Sequence, residues 1–181
     1  MGSARGLYFD LADPRCWPAV ELLPRVVPTV PFAAVRGRKI GVAERGEVEE
    51  VWEVAKRLGL LPARPPKRLA AELEEASLAA VYAAMVGKGV AFAQAAFRHA
   101  FAAGRDLSSW DNVVIVGASC EIHPRALAAA LRGAGVHRRL EENEREAERV
   151  GVVELPAVVL EGRVHQGLEA VLALVEAEVT A

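Results

Sequence analysis

The sequence predicts an α/β protein in which a long helical segment interrupts a small sheet. Strand-like runs flank a helix near the start, helical patterns fill the middle, and strand-like runs return before a last helix. Hydrophobic residues make up 52% of the chain and aromatic residues only 6%, so the apolar residues are mostly Ala, Val and Leu. That composition suits helices packed around a β core, and 181 residues can bury such a core without disulfide bridges.

The first 45 residues predict a β-α-β unit. Residues 7–10 form a short apolar run, and Asp13-Pro14 then supplies an N-cap residue and a proline suited to a first helical turn. Residues 29–35 read as a second strand. Because the prolines in and before this strand cannot donate to a ladder, we expect it at a sheet edge.

Residues 46–149 predict an inserted all-helical domain. Its third helix contains three phenylalanines and almost no polar face, so we expect it to be buried as the core of this domain. The last segment is densely charged, which is typical of a solvated face. The predicted helical segments are 48–59, 67–85, 90–103, 109–116, 124–131 and 139–149, with glycines 133 and 135 ending the fifth.

The β character returns in residues 152–160 and 164–166, which predict a hairpin, and a final amphipathic helix follows Gly167. The order β-α-β, helices, β-β-α is that of a thioredoxin-like fold with an inserted all-helical domain. The sequence thus divides into a thioredoxin-like domain, residues 1–45 and 150–181, and the helical domain of residues 46–149.

Charge and hydropathy exclude several classes of partner. The formal net charge of −2 gives no basic excess for neutralising phosphates, so we expect no nucleic-acid partner. The sequence has neither a long uncharged apolar run nor an apolar leader at its start, so we expect no membrane partner and a cytoplasmic protein. Scarce Asn and Gln beside abundant Glu and Arg are typical of a heat-adapted source.

The cysteines and histidines predict neither a disulfide nor a metal site. Cys16 and Cys120 are far apart and show no framework or ligand spacing, so both are expected to be thiols. The four histidines have no metal-ligand or triad pattern. His165 is the one nearest in sequence to Gly167 and Glu169.

Three stretches carry a resemblance to a known family. They are the opening strand at residues 7–10, the segment from Phe92 to Ser108, and a run that contains Glu146-Ala147, Gly151-Val152, Leu155-Pro156 and Glu161-Gly162. Together they resemble the branch of the DsbA-like superfamily that contains 2-hydroxychromene-2-carboxylate isomerases and kappa-class glutathione transferases. The resemblance covers nearly the whole chain.

The resemblance implies an active-site loop, a cofactor and an oligomeric state. The stretch Asp13-Pro14-Arg15-Cys16 stands where redox relatives carry Cys-x-x-Cys and where this branch begins with Ser. Pro156 is implied to be cis, and the backbone of Leu155 to pair with an extended thiol peptide, glutathione. Glu169 keeps an acid in the motif that binds the γ-glutamyl end, although Leu168 and Ala170 replace its polar neighbours. A homodimer is also implied.

The residues of the loop leave several roles open. Asp13 excludes dithiol chemistry and, when ionised, would repel a nearby thiolate; it is either a general acid or base or simply a helix N-cap. Cys16 is either a single reactive thiol or a small buried hydrophobe. Trp17 either lines a substrate cleft or packs in the core.

Two functions follow from the resemblance and the altered loop. The first is a glutathione-dependent isomerase or transferase, similar to 2-hydroxychromene-2-carboxylate isomerase, that acts on small electrophilic or aromatic molecules. The alternative is a relative of the thiol-disulfide oxidoreductases that has lost dithiol activity and serves as a non-catalytic binding protein. Whether the protein is an enzyme stays open on the sequence alone.

Overall fold

The computed structural model of the protein describes residues 6–41, 48–60, 64, 66, 67, 70 and 72–180. Its order of elements confirms the predicted α/β class, with helices inserted between two groups of strands. A π-helical turn, Arg98–Ala102, extends the fourth helix. The elements are β1 (Gly6–Phe9), α1 (Cys16–Val26), β2 (Phe32–Ala34), α2 (Val48–Arg57), α3 (Glu74–Met85), α4 (Gly89–Phe97), α5 (Trp110–Ser119), α6 (Pro124–Arg132), α7 (Ala134–Arg149), β3 (Ala157–Leu160), β4 (Arg163–Gln166) and α8 (Leu168–Thr180).

The four strands form one mixed sheet in the order β2-β1-β3-β4. β1 is parallel to β2 and antiparallel to β3, and Tyr8 lies between Ala33 and Ala157 in the register. β2 is an edge strand, as its prolines predict. β3 begins at Ala157, five residues later than the predicted start at residue 152. The backbone N–H groups of residues 153 and 154 donate to the Gln166 side chain and not to a neighbouring strand.

Several predicted helix boundaries are wrong. α3 begins at Glu74, about two turns later than the predicted start at residue 67. Residues 68, 69 and 71 of the predicted segment lie outside the described residues, and so do prolines 62 and 65 of the predicted linker. α7 begins at Ala134, so Gly135 lies inside a helix and does not end the preceding one. Within the described residues no helix is long and apolar enough to cross a membrane.

An aromatic cluster joins the sheet to the inserted helices. The Phe97 ring lies 6.2 Å from Phe9 of β1 and 5.9 Å from Phe101, whose ring is 6.0 Å from Trp17. These four rings are almost fully buried, which confirms that the phenylalanine-rich helix is a core element. Buried residues of both predicted domains form one continuous cluster, and the division into two folding units stays a prediction.

An ion-pair network fastens α7 to the loop after β2. Glu144 is only 8% exposed and accepts hydrogen bonds from Arg36 Nε at 2.6 Å and from a terminal nitrogen at 2.8 Å. Arg36 also pairs with Glu74 of α3 at 2.7 Å. The pKa of Arg36 is raised, and its hydrogen bonds with Glu144 are the largest cause. The expectation that the charged segment is wholly solvated is therefore wrong at Glu144.

Candidate functional site

The loop between β1 and α1 is held in place by a buried aspartate. Asp10 is 7% exposed; its Oδ1 accepts the N–H of Ala12 at 2.8 Å and its Oδ2 accepts the N–H of Gly37 at 2.9 Å. Asp10 therefore ties the loop to the segment that follows β2. This contact joins residues 27 positions apart, and it gives residues 11–15 a fixed course into α1.

Asp13 is buried and paired with Arg15. It is 3% exposed; its Oδ1 accepts the backbone N–H of Arg15 at 3.0 Å, and its Oδ2 accepts a guanidinium N–H at 2.7 Å. α1 begins at Cys16, with Arg15 in the N-cap position and no side-chain cap. Asp13 thus holds the turn that precedes the helix, and it does not cap the helix itself.

Arg15, like Glu154, is a site residue that the sequence prediction missed. Its guanidinium contacts Asp13 on one side and Glu154 Oε1 at 3.4 Å on the other. Burial opposes the charged guanidinium, but the hydrogen bonds and charge of Asp13 outweigh it, so the pKa of Arg15 is raised. The Arg15 side chain therefore stays protonated. An aspartate and an arginine two positions apart around Pro14 are the only signal of this pair in the sequence.

The Cys16 thiol is inaccessible. It has no exposed surface, and burial, followed by the negative charge of Asp13, raises its pKa well above the usual value. A thiolate is the nucleophilic form of cysteine, so neither the exposure nor the charge state suits a single-thiol reagent. Of the two roles considered for Cys16, the structure places it in the core. Cys120 is also buried.

We expect Cys16 to be unreactive in the folded protein. In a Cys120→Ser variant, a disulfide reagent such as dithionitrobenzoate should give no labelling from neutral pH to about pH 9, because the raised pKa keeps the thiol protonated. The same variant unfolded in guanidinium should be labelled stoichiometrically. Rapid labelling of the native variant would restore the single-thiol role.

Trp17 belongs to the core. It is 1% exposed, and its ring nitrogen donates to Glu21 at 3.3 Å, while Glu21 accepts two hydrogen bonds from Arg98 of the π-helical turn. Of its two possible roles, packing is therefore the one that the geometry favours. Trp17 positions the first turn of α1 against the inserted helices.

The segment before β3 meets the loop through Glu154. The Leu155-Pro156 peptide bond is cis, as the resemblance implies, and the Pro156 carbonyl accepts the N–H of Gly167 at 2.9 Å. The N–H and C=O of Leu155 make no hydrogen bond to the part of the chain that the structure describes. Leu155 has no exposed surface.

Glu154 also fills the space in front of α8. A Cβ atom at Gly167 would lie 2.8 Å from Glu154 Oε2, and the Glu154 side chain could move to relieve that contact. The φ of +82° at Gly167 is the feature that favours glycine there. Glu169 is exposed in the first turn of α8, and His165 lies on β4 opposite Val158. Among the described residues, no group of three His, Cys, Asp or Glu side chains is arranged to hold a metal ion.

This geometry agrees with a comparison against known families. Residues 7–177 match the DSBA-like thioredoxin domain, which is nearly the whole chain. The protein belongs to this family. No curated protein sequence matches the DSBA-like chain.

Solved structures share the fold of this DSBA-like protein at low sequence identity. A 2-hydroxychromene-2-carboxylate isomerase is 16% identical with a TM-score of 0.83, covering 97% of this chain and 94% of its own. A probable DsbA oxidoreductase of Streptomyces coelicolor is 17% identical with a TM-score of 0.78, covering 97% and 88%. The cytosolic disulfide reductase DsbM of Pseudomonas aeruginosa, in a structure with GSH, is 16% identical with a TM-score of 0.65, covering 97% and 98%. These similarities show the fold.

Proposed function

We propose that this DSBA-like protein is an isomerase or transferase for small electrophilic or aromatic molecules, with glutathione as its thiol co-substrate. The observation that carries the proposal is the buried Asp13–Arg15 pair at the start of α1, which Glu154 links to the cis-proline segment. The pair presents a permanent cation beside the position where redox relatives carry a thiol. A cation there stabilises an anionic sulfur or a substrate carboxylate.

Two features of the chain fit glutathione. The backbone of Leu155 is unpaired among the described residues and lies next to a cis proline, so it can take an extended peptide by strand addition. The Arg15 guanidinium offsets the repulsion between the Asp13 carboxylate and a thiolate, and the N-terminus of α1 adds a favourable dipole. Bound glutathione would supply the accessible thiol that the buried Cys16 does not.

Glu154 has to move for a ligand to enter. Its side chain is 45% exposed and its contact with Arg15 is long, at 3.4 Å, so the contact is a weak surface pair. Asp13 keeps Arg15 in place through three side-chain contacts of 2.7 to 3.2 Å when Glu154 leaves. An incoming anion then replaces Glu154 at the guanidinium, and the backbone of Leu155 becomes available.

Calorimetric titration with glutathione tests this proposal. We expect binding at millimolar concentration or tighter, about tenfold weaker binding in Arg15→Gln, and tighter binding in Glu154→Gln, where the competing carboxylate is gone. Arg25→Gln, an exposed arginine at the far end of α1, is the matched control and should bind as the wild type does. Absence of binding by both the wild type and Glu154→Gln would reject glutathione as the co-substrate.

A non-catalytic binding protein is the second candidate, and the arrangement of Asp13 favours it. Both oxygens of the Asp13 carboxylate accept N–H groups of Arg15, which leaves this group poorly placed to act as a general acid or base. A panel of isomerisation and glutathione-conjugation assays separates the candidates. Turnover that Arg15→Gln abolishes supports the enzyme, whereas ligand binding without turnover supports the binding protein.

The homodimer and the cytoplasmic location stay predictions. The molar mass in solution, measured by light scattering over a range of concentrations, tests the first. A mass that stays near the 19.4 kDa of one chain would contradict the dimer.

A further inference from the structure

A large cavity lies apart from the loop, beside the edge strand of the sheet. Its volume is about 1260 Å³, and its walls come from β1, β2 and the helices α3, α4 and α7. None of the residues 10–17, 154–156 or 165–169 lines it. The cavity is therefore separate from the site of the proposed function, and nothing in that function uses it.

Tyr8 lies in the wall of this cavity with an unused hydroxyl. The residue is 3% exposed and lines the cavity, yet its hydroxyl makes no hydrogen bond to any residue that the structure describes. Among the described residues, the buried polar side-chain atoms without a partner are Trp52 Nε1 and Ser77 Oγ, so the Tyr8 hydroxyl is accessible from the cavity. Tyr8 thus offers a hydroxyl donor to a molecule bound in the cavity.

Positive charge from α7 faces this hydroxyl. Arg139, Arg145 and Arg149 line the cavity together with Glu142 and Glu146, three cations against two acids. Arg149 is paired with Glu146 at 2.6 Å, whereas Arg139 meets Glu142 only at 3.5 Å.

The pKa of Tyr8 reflects the same surroundings. Burial, the largest cause, and the charge of Glu146 raise it, while Arg149 and Arg139 lower it. These are the charged groups of α7 that act on the hydroxyl, and Arg139 and Arg149 line the same cavity as Tyr8.

The rest of the wall is apolar. Val81 and Met85 of α3, Val90 of α4 and Pro31 before β2 line it, and Met85 is 55% exposed although it is a large hydrophobic residue. Methionine adapts its shape to unbranched hydrocarbon chains. The cavity, at about 1260 Å³, also exceeds the roughly 300–1,000 Å³ of small-molecule pockets, so it has room for a hydrocarbon chain.

We propose that this cavity binds a free long-chain carboxylic acid. The Tyr8 hydroxyl donates to the carboxylate, Arg139 and Arg149 neutralise its charge, and the hydrocarbon chain lies along Val81, Met85 and Val90. A single anionic head with an apolar chain matches the Tyr8 donor, the excess of one positive charge among the lining residues and the apolar wall.

Displacement of a fluorescent amphipathic anion, anilinonaphthalene sulfonate, by dodecanoate tests the proposal on the full chain. We expect dodecanoate to displace the dye, octanoate to do so more weakly because less chain is buried, and dodecylamine not to do so. Tyr8→Phe should weaken dodecanoate about tenfold, and Arg149→Gln should weaken it by several fold, with circular dichroism as the check of folding.

Two variants with matched chemistry serve as controls. Tyr82→Phe on α3 and Arg138→Gln on α7 change residues that do not line the cavity, so both should bind dodecanoate as the wild type does. Equal displacement by dodecanoate and dodecylamine, equal affinity in Tyr8→Phe and the wild type, or absence of binding at millimolar dodecanoate would each overturn the assignment. Binding to vesicles that contain anionic phospholipid, in preference to the free acid, would overturn it in favour of a membrane lipid.

Discussion

Replacing Arg36 with alanine is expected to lower the free energy of unfolding by about 3 kcal/mol. The side chains of Arg36 and Glu144 are 15% and 10% exposed, so removal of the guanidinium leaves a carboxylate in a largely dry position without its partner. The same change also releases Glu74 of α3. Urea unfolding followed by circular dichroism measures the loss as a lower midpoint at an unchanged slope.

Arg38→Ala is the matched control for this prediction. Arg38 lies two residues further along the same segment, but its side chain is 68% exposed and its nitrogen is 3.8 Å from Glu72. We expect a loss of less than about 1 kcal/mol, because exposed ion pairs contribute little. Similar losses in both variants would show that Arg36 does not hold α7 to the sheet domain.

The thioredoxin-like order could be predicted because it depends on local patterns. Apolar alternation, helical spacing, and prolines and glycines at the ends of elements act over a few residues, and they place most elements correctly. The edge position of β2 followed from Pro28 and Pro31 in the same way. The cis bond before Pro156 is different, since only the resemblance implied it, and the structure confirms it.

The contacts that shape the site could not be predicted from such patterns. Arg15 and Glu154 are 139 positions apart, and Arg36 and Glu144 are 108 positions apart, so nothing local marks either pair. A glutamate inside a charged segment is predicted to be solvated, whereas Glu144 is buried and paired with Arg36, which follows β2. Tertiary packing also decides where α3 starts, because an alanine-rich run favours a helix without fixing its first residue.

The second large effect is expected at the Asp13–Arg15 pair. Arg15→Gln should lower the free energy of unfolding by about 3 kcal/mol, since it leaves the Asp13 carboxylate buried without a cation. Asp13→Asn should also destabilise the protein, because Arg15 then loses the ion pair at 2.7 Å and keeps the weaker one with Glu154 at 3.4 Å. The double variant removes both charges and replaces them with amides that can bond to each other, so it should lose less than the sum of the two single losses.

The sum of the two single losses minus the loss in the double variant measures the coupling free energy of the pair. We expect at least about 2 kcal/mol from urea unfolding of the wild type, the two single variants and the double variant. The same four proteins, titrated with glutathione, separate stability from function. A pair that only supports the fold would let the stable double variant bind glutathione normally. A pair that binds the sulfur would leave the double variant stable but with about tenfold weaker binding, because the amides restore packing without restoring the cation. Coupling below about 0.5 kcal/mol would mean that solvent screens the pair, and the case for Arg15 as the anion-binding group would fail with it.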